Sequence, residues 1–410
     1  MTALSFKRNR TPRRRHDPRA TPVHERPGFD FSITGLVYSS LMMFMGLSAI
    51  NTQASLLFGV FGLMLGILFV SGVISRTMLG RIELRRVLPD QAIVGQPVVV
   101  QYLVTNNKPF WPSMSLTISE LDVQGLMSQP HVYVLHTAAK TTSGVAAELT
   151  PKRRGLQRFS RYQIATSFPF GFIKRALNRD TPDALLVYPP LGTVGSDLLQ
   201  QFRSAETSGE NLKPVEGGMD EFFGLREFRS GESPRFIYWK RSAKTGQLVS
   251  RQMTHVAPGK LVIMVDSLQP DDAEATIAGV ERVIAQSASL IDAALSAGLA
   301  VGLVCRMQDW LFVPPARGKQ HRRELLSLLA RLPVNRDQSP EKLLEEASRH
   351  IDPSSTPVLM TRGGVSTTGS TRRRGSAIVI GCESPQADGW FQFDRSIDFA
   401  SVAPVVRRTT

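Results

Sequence analysis

Forty-five consecutive residues, 31–75, carry no charged side chain. One polar break, Asn51-Thr52-Gln53, divides them into two apolar runs, 31–50 and 54–74. A bilayer core about 30 Å thick takes roughly 20 residues of helix at about 1.5 Å each, and both runs meet that length. The three-residue break leaves room only for a tight turn. The pattern therefore predicts a two-helix membrane hairpin, with a buried hairpin in a soluble core as the alternative. A secretory signal fits less well, because the first run exceeds a signal's apolar region and no small-residue cleavage site precedes the second.

The flanks predict an orientation. Lys7, Arg8, Arg10, Arg13, Arg14, Arg15, Arg19 and Arg26 precede the first run, against Asp17 and Glu25 up to Pro27, and Arg76, Arg81, Arg85 and Arg86 follow the second. Positive charge near span ends stays in the cytoplasm, so both flanks and residues 76–410 are expected inside and the Asn51 turn outside. Of the net charge of +14, residues 1–27 of the leading tail hold +6, eight bases less two acids. That tail, residues 1–30, reads as disordered and drawn to anionic lipid headgroups. Nucleic acid is the less favoured partner, since no basic folded module of the nucleic-acid-binding kind can be traced in the chain. Cys305 and Cys382 are the only cysteines and lack metal-ligand spacing, so two reduced, buried thiols are expected.

Beyond the hairpin the sequence changes period twice. Residues 81–190 alternate apolar and polar side chains (Ile82/Leu84, Val98/Val100/Tyr102/Val104, Met114/Leu116/Ile118, Val132/Val134, Tyr162/Ile164), punctuated by Gly95-Gln96-Pro97, Asn106-Asn107, Trp111-Pro112 and Pro151. Six or seven short strands without a helical period predict an antiparallel, immunoglobulin-like β-sandwich. After a linking segment, 191–259, residues 260–400 read as a doubly wound α/β domain. Its apolar strand 260–266 precedes a helix starting near Asp271 or Asp272 and closed by Gly298. Further strands are expected at 299–305, 310–313, 357–360 and 377–380, helices at 320–332 and 341–350, and a low-complexity loop at 363–375.

The first strand of such a sheet ends at its ligand edge, here at Asp266-Ser267. A metal-ion-dependent adhesion site of von Willebrand factor A type would place Asp-x-Ser-x-Ser there for Mg²⁺. The chain offers Asp266-Ser267-Leu268-Gln269-Pro270, which keeps the acid and lacks both serines at the required spacing. A bound Mg²⁺ is therefore not expected, and Asp266 reads first as a strand-end residue that caps a loop.

A second concentration of unusual residues spans 217–251. It contains Glu221-Phe222, Leu225-Arg226, Gly231-Glu232 with Arg235, Ile237 with Trp239, Ser242-Ala243, and Leu248 with Arg251. In this order the segment resembles the signature of the domain of unknown function 58 family, which more usually has Asp where Glu232 stands. Arg153-Arg154-Gly155, the run Thr166-Ser167-Phe168-Pro169-Phe170-Gly171-Phe172 and Leu186-Val187-Tyr188-Pro189 are similar to the family's strand-rich part, and with the two spans the resemblance covers about 31–332. It implies a von Willebrand A-like α/β domain, a MoxR-type AAA+ ATPase as partner, often with a transglutaminase-like membrane protein, and a role in assembling or remodelling protein complexes. Physically, Arg226, Arg229 and Arg235, interleaved with Asp220, Glu221, Glu227 and Glu232, suit either an internally paired inter-domain belt or a recognition surface. Trp239, beside Lys240 and Arg241, suits an interface anchor.

Signals for catalysis are weak. The chain has no Gly-x-Ser-x-Gly elbow, no phosphate loop and no His-Glu-x-x-His helix, and its seven histidines are dispersed. The leading expectation is a non-enzymatic, membrane-tethered scaffold or adaptor in a bacterial inner membrane, with both termini in the cytoplasm and no cofactor. A metal- or ligand-dependent adhesion module acting through Asp266 is second. A hydrolase or transferase using Asp220, Glu221 and Arg226 is third, because no nucleophile or general base stands with them.

Overall fold

The computed structural model describes residues 26–123, 131–207, 221–229, 233–254, 259–336, 340–352, 354–363, 372–374 and 377–404. The uncharged run folds into two helices, α1 (Ile33–Thr52) and α2 (Ser55–Leu79). Ser32 caps α1 by accepting from the Gly35 amide at 3.0 Å. At the far end α1 runs through Asn51 and Thr52, further than the polar break suggested. The Thr52 hydroxyl donates to the Ser48 carbonyl one turn back, and the left-handed turn falls at Gln53 (φ 49°). The helices touch closely: a Cβ at Gly46 would stand 2.8 Å from the Phe61 ring, and the Tyr38 hydroxyl donates to the Met64 carbonyl at 3.0 Å. Their outer faces are apolar all round and mostly unburied, with Phe44 76%, Leu56 75% and Phe69 73% exposed.

Residues 26–30, expected within the disordered tail, and Phe31, expected to open the first span, form an edge strand, β1 (Arg26–Phe31), which pairs antiparallel with β9 from Arg26↔Asn178 to Phe31↔Ile173. The strand-rich part comprises β2 (Ile82–Val87), β3 (Ala92–Ile93), β4 (Val98–Asn106), β5 (Ser113–Glu120), β6 (His131–Thr137), β7 (Thr142–Leu149), β8 (Gly155–Thr166) and β9 (Ile173–Tyr188). They make two sheets, one ordered β1-β9-β8-β5-β6 and the other β2-β4-β7. All pairings are antiparallel except that of the short β3 with β9. Alternation has its usual consequence: Val100, Tyr102 and Val104 turn inward on β4 while Val99 and Gln101 face out. Leu84, Tyr102 and Val104 from one sheet share a core with Leu116, Ile164 and Leu185 from the other.

That core also encloses a charge. Arg86, counted above among the membrane-flanking bases, turns inward from β2 and forks onto Glu120 at 2.7 and 2.9 Å. Its guanidinium lies over the rings of Tyr162 and Phe159. Arg86 is therefore a core ion-pair partner with no access to lipid.

The linking segment holds β10 (Thr193–Val194), α3 (Ser196–Thr207), β11 (Glu221–Glu227), a 3₁₀ turn (Pro234–Phe236), α4 (Trp239–Thr245) and β12 (Val249–Thr254). The α/β part follows with β13 (Lys260–Val265), α5 (Glu274–Ser296), β14 (Ala300–Arg306), β15 (Trp310–Ala316), α6 (Lys319–Arg331), α7 (Pro340–Ser348), β16 (Thr356–Thr361), β17 (Arg372–Arg374), β18 (Ala377–Gly381), α8 (Pro385–Trp390), β19 (Phe391–Gln392) and α9 (Phe399–Val402). Its sheet is ordered β15-β14-β13-β16-β18-β17, with the four inner strands parallel and both edges antiparallel. Successive residues of β13 serve opposite faces: Leu261, Ile263 and Val265 pack toward α5 and α6, Val262 and Met264 toward α7.

Three boundaries differ from the sequence reading. Helix α5 begins after Ala273, because Asp271 is used one step earlier, accepting from the Ala273 amide at 3.2 Å. Part of the expected low-complexity loop is ordered: Arg372–Arg374 form the edge strand β17 against β18, whereas 364–371 and 375–376 lie outside the described residues. The chain's last described segment also bridges both parts: α9 packs on α5, with the Arg282 guanidinium over the Phe399 ring, while Val402 packs into the sandwich core.

Candidate functional site

A fully buried ion pair joins the two folded parts. Arg154 begins the approach to β8, and Glu281 lies on α5. The pair is sealed, with relative exposures of 0% and 1%. The Arg154 guanidinium donates Nε and Nη2 to the two Glu281 carboxylate oxygens at 2.7 and 2.9 Å. Its remaining nitrogen, Nη1, donates to the carbonyls of Leu329, Ala330 and Leu332 at 3.0, 3.2 and 2.9 Å. Those carbonyls end α6, where partial negative charge accumulates, so one cation serves both a carboxylate and a helix C-terminus. Arg154 appeared above only as part of a motif and Glu281 not at all. The available signal was an acid on the apolar face of a helix, between Val280 and Ile284.

The sheet edge is the second polar assembly. Strand order reverses between β13 and β16, so the crevice at their carboxyl ends is where a parallel sheet offers a ligand site. Asp266 stands there, buried. Its Oδ2 accepts from Thr361 Oγ1 at 2.9 Å and its Oδ1 from the Leu268 amide at 3.1 Å. Burial holds its carboxyl above the usual range, opposed by those two hydrogen bonds and by the Arg362 charge. Beside it, Ser267 Oγ accepts from Asn335 Nδ2 at 2.8 Å, and Arg336 forks onto Asp272 at 2.8 and 2.9 Å. Each polar group thus already has a protein partner, and among the described residues no three His, Cys, Asp or Glu side chains gather as metal ligands would. The donor set does not fit a hydrated Mg²⁺, which needs open carboxylate oxygens.

The belt residues occupy a small unit of their own. Strands β11 and β12 pair antiparallel, placing Glu221 opposite Thr254, Phe222 opposite Met253, Arg226 opposite Ser250 and Leu225 opposite Arg251. The 3₁₀ turn and α4 close the hairpin. Ser242 is the buried pivot: its Oγ donates to the Tyr238 carbonyl at 3.1 Å and accepts from the Val249 amide at 2.9 Å. The Arg251 guanidinium covers the Tyr238 ring, 4.7 Å from its centroid. Arg226 is half-buried, whereas Arg229, Arg235 and Arg251 are exposed. Trp239 opens α4 with 64% of its surface exposed, beside exposed Lys240, Arg241 and Lys244. Asp220 and Glu232, expected among the pairing acids, lie outside the described residues.

Part of this unit and the sheet after it resemble a known family. Residues 224–381 match the family model described as Protein of unknown function DUF58. That stretch, under half of the chain, is similar to DUF58. The match opens within β11 and closes at the end of β18, leaving out Glu221, Phe222, the sandwich and the two apolar helices, a shorter reach than the motifs suggested. Uncharacterized protein YeaD of Bacillus subtilis (strain 168) is 22% identical over 192 residues, 47% of this chain and 46% of that protein. The similarity thus spans less than half the length of that relative.

Both thiols, Cys305 within the matched residues and Cys382 just after them, are sealed. Cys305 and Cys382 are free and buried, and burial pushes the Cys305 thiol up to about 12 and raises the Cys382 thiol as well, so neither is a ready nucleophile. His321 is used structurally, its Nε2 lying 2.7 Å from the Val301 carbonyl.

Proposed function

We propose that the protein is a non-enzymatic scaffold or adaptor, tethered by its helical hairpin to a bacterial inner membrane with its folded parts in the cytoplasm. The observation that carries this reading is the state of the hairpin: the apolar windows of α1 and α2 are only 17% and 11% buried. A hairpin in a soluble core would be mostly covered, and this much apolar surface is accommodated by lipid. The basic flanks at Arg76, Arg81 and Arg85 support the cytoplasmic orientation.

The fold supports the finer architectural reading. Two antiparallel sheets around one core agree with an immunoglobulin-like sandwich. The order β15-β14-β13-β16-β18, with β15 antiparallel, agrees with a von Willebrand A-like domain. The resemblance supplies the partner: a MoxR-type AAA+ ATPase, with a transglutaminase-like membrane protein beside it, in assembly or remodelling of protein complexes. Trp239 and its basic neighbours are the surface on which we place that contact, because an exposed aromatic anchor among arginines suits a binding hot spot. The reading needs no metal, since the polar groups around Asp266 are already partnered. That is why adhesion through Asp266 is the weaker alternative.

The test is co-purification of the full chain from detergent-solubilised membranes, with and without ATP. The expected result is recovery of an AAA+ ATPase with the wild-type chain and its loss with Trp239→Ala. Failure to recover any such ATPase in either condition rejects the partner. Release of the chain by alkaline carbonate rejects the tether.

A further inference from the structure

Three large aromatic side chains stand in water at the root of the hairpin. Phe110, Trp111 and Phe170 are 85%, 62% and 50% exposed, although each lies on a loop that is itself firmly held. Both loops are held by the hairpin.

The first loop, 107–112, wraps the carboxyl end of α2. Lys108 is buried and donates Nζ to the carbonyls of Thr77 at 2.9 Å, Met78 at 3.1 Å and Pro112 at 3.4 Å. Ser113 Oγ donates to Met78 at 2.9 Å, and the Asn107 amide to the Arg81 carbonyl at 3.0 Å. Inside the loop, Asn106 Nδ2 holds the Trp111 carbonyl at 3.0 Å. Phe110 and Trp111 thus project from a rigid turn level with the last residues of α2.

The second loop, 168–172, fills the space between the start of α1 and the last turns of α2. Ser75 Oγ donates to the Phe168 carbonyl at 2.7 Å, Ser32 Oγ to the Gly171 carbonyl, and the Ser32 amide to the Phe172 carbonyl at 3.1 Å. The fit is close enough to require Gly35, where a Cβ would stand 2.1 Å from the Phe172 carbonyl oxygen. Phe172 stacks on Tyr38 of α1, and Phe170 stacks on Phe172.

The level of these loops follows from the apolar run. It ends at Ile74, and Ser75, the next residue, is bonded to Phe168. If the hairpin spans the bilayer, both loops lie at the boundary where hydrocarbon gives way to headgroups. Aromatic side chains collect at that depth because an apolar ring and a polar edge are both accommodated there. Exposed Arg76, Arg81, Lys140 and Lys174 surround the same end, against Asp30 and Glu83, a balance that suits anionic headgroups.

We propose that this end of the β-sandwich is seated in the lipid headgroup layer, with Phe110, Trp111 and Phe170 as its anchors. The folded part then lies fixed against the membrane and does not swing on the hairpin. The inference rests on the membrane reading above, and the experiment separates the two.

Single cysteines are introduced at Phe110, Phe170, Leu47 and Trp239 of the full chain, spin-labelled and reconstituted in vesicles of phosphatidylcholine and phosphatidylglycerol. The buried native thiols serve as the unlabelled background. Accessibility to oxygen relative to a water-soluble nickel complex reads the depth of each label. The expected order is Leu47 deepest, Phe110 and Phe170 at headgroup depth, and Trp239 in water. Labels at 110 and 170 as aqueous as that at 239, with 47 deep, overturn the seating and leave the tether standing. A label at 47 in water overturns both.

Discussion

Arg154 and Glu281 lie 127 positions apart in sequence and meet as a two-pronged fork with at most 1% of either side chain exposed. Such a pair contributes little net stability over an apolar pair of the same volume, but half of it left alone is a buried uncompensated charge. It therefore acts as a registration device: the sandwich and the α/β part fit only in the arrangement that brings the two side chains together.

Arg154→Met should cost about 3–5 kcal/mol, and Glu281→Leu a similar amount, whereas the double variant should recover most of the loss. Denaturant unfolding of the reconstituted chain measures all three. Additive losses in the double variant would show that the two residues act independently.

Lys108 gives a pH signature. Burial pushes its ammonium from 10.5 down to about 8, although the carbonyls of Thr77 and Met78 at the end of α2 and of Pro112 in the loop accept from it. Because the folded value lies below the unfolded one, the folded state releases its proton first. Stability should then rise with pH between about 8 and 10.5, by at most about 3 kcal/mol. In Lys108→Met the rise in that window should be absent.

Asp266 behaves oppositely to most carboxylates. Its folded value is raised above 3.8 by burial, so the folded state holds the proton longer and its contribution to stability falls as pH rises through that window. Asp266→Asn should steepen the rise of stability with pH on the acid limb, because a contribution that falls there is removed, while leaving the fold intact. Calorimetric titration of the wild-type chain with Mg²⁺ should release no heat of binding, and a saturable heat abolished in Asp266→Asn would restore the metal-dependent reading.

The belt separates packing from display. Ser242→Ala removes the hydroxyl that bridges the Tyr238 carbonyl and the Val249 amide, and should cost about 1–3 kcal/mol. Trp239→Ala, three residues away and on the surface, should stay within about 0.5 kcal/mol of wild type. Thermal unfolding distinguishes them, and equal losses would place Trp239 in the packing of the unit.

Much of the fold was legible because it depends on short-range pattern. The Lys-Leu-Val-Ile-Met-Val run of β13, the helical spacing of α5 and the alternation of β4 each state their burial locally, and the elements fall where that spacing put them. The candidate sites were less so. Asp266 was found by its place at a strand end, but that its oxygens are occupied depends on Thr361, which lies 95 positions away. Most of the strand at 26–31 was read as tail because an edge strand bearing Arg, Pro and Gly has no alternation to announce it, and only pairing with β9 defines it.

The sequence by itself determined the two apolar helices, the change from period two to a helical period and the DUF58 motifs, since each is set by the order of neighbouring side chains. Tertiary structure alone decided that Arg86 is a core residue and not a membrane flank, that Lys108 caps α2, and that Arg154 clamps the sandwich to α5 and α6. The physical reason is the same in each case. A charged side chain carries no local sign of whether water or a distant carboxylate or carbonyl will satisfy it, and only the folded chain supplies that partner.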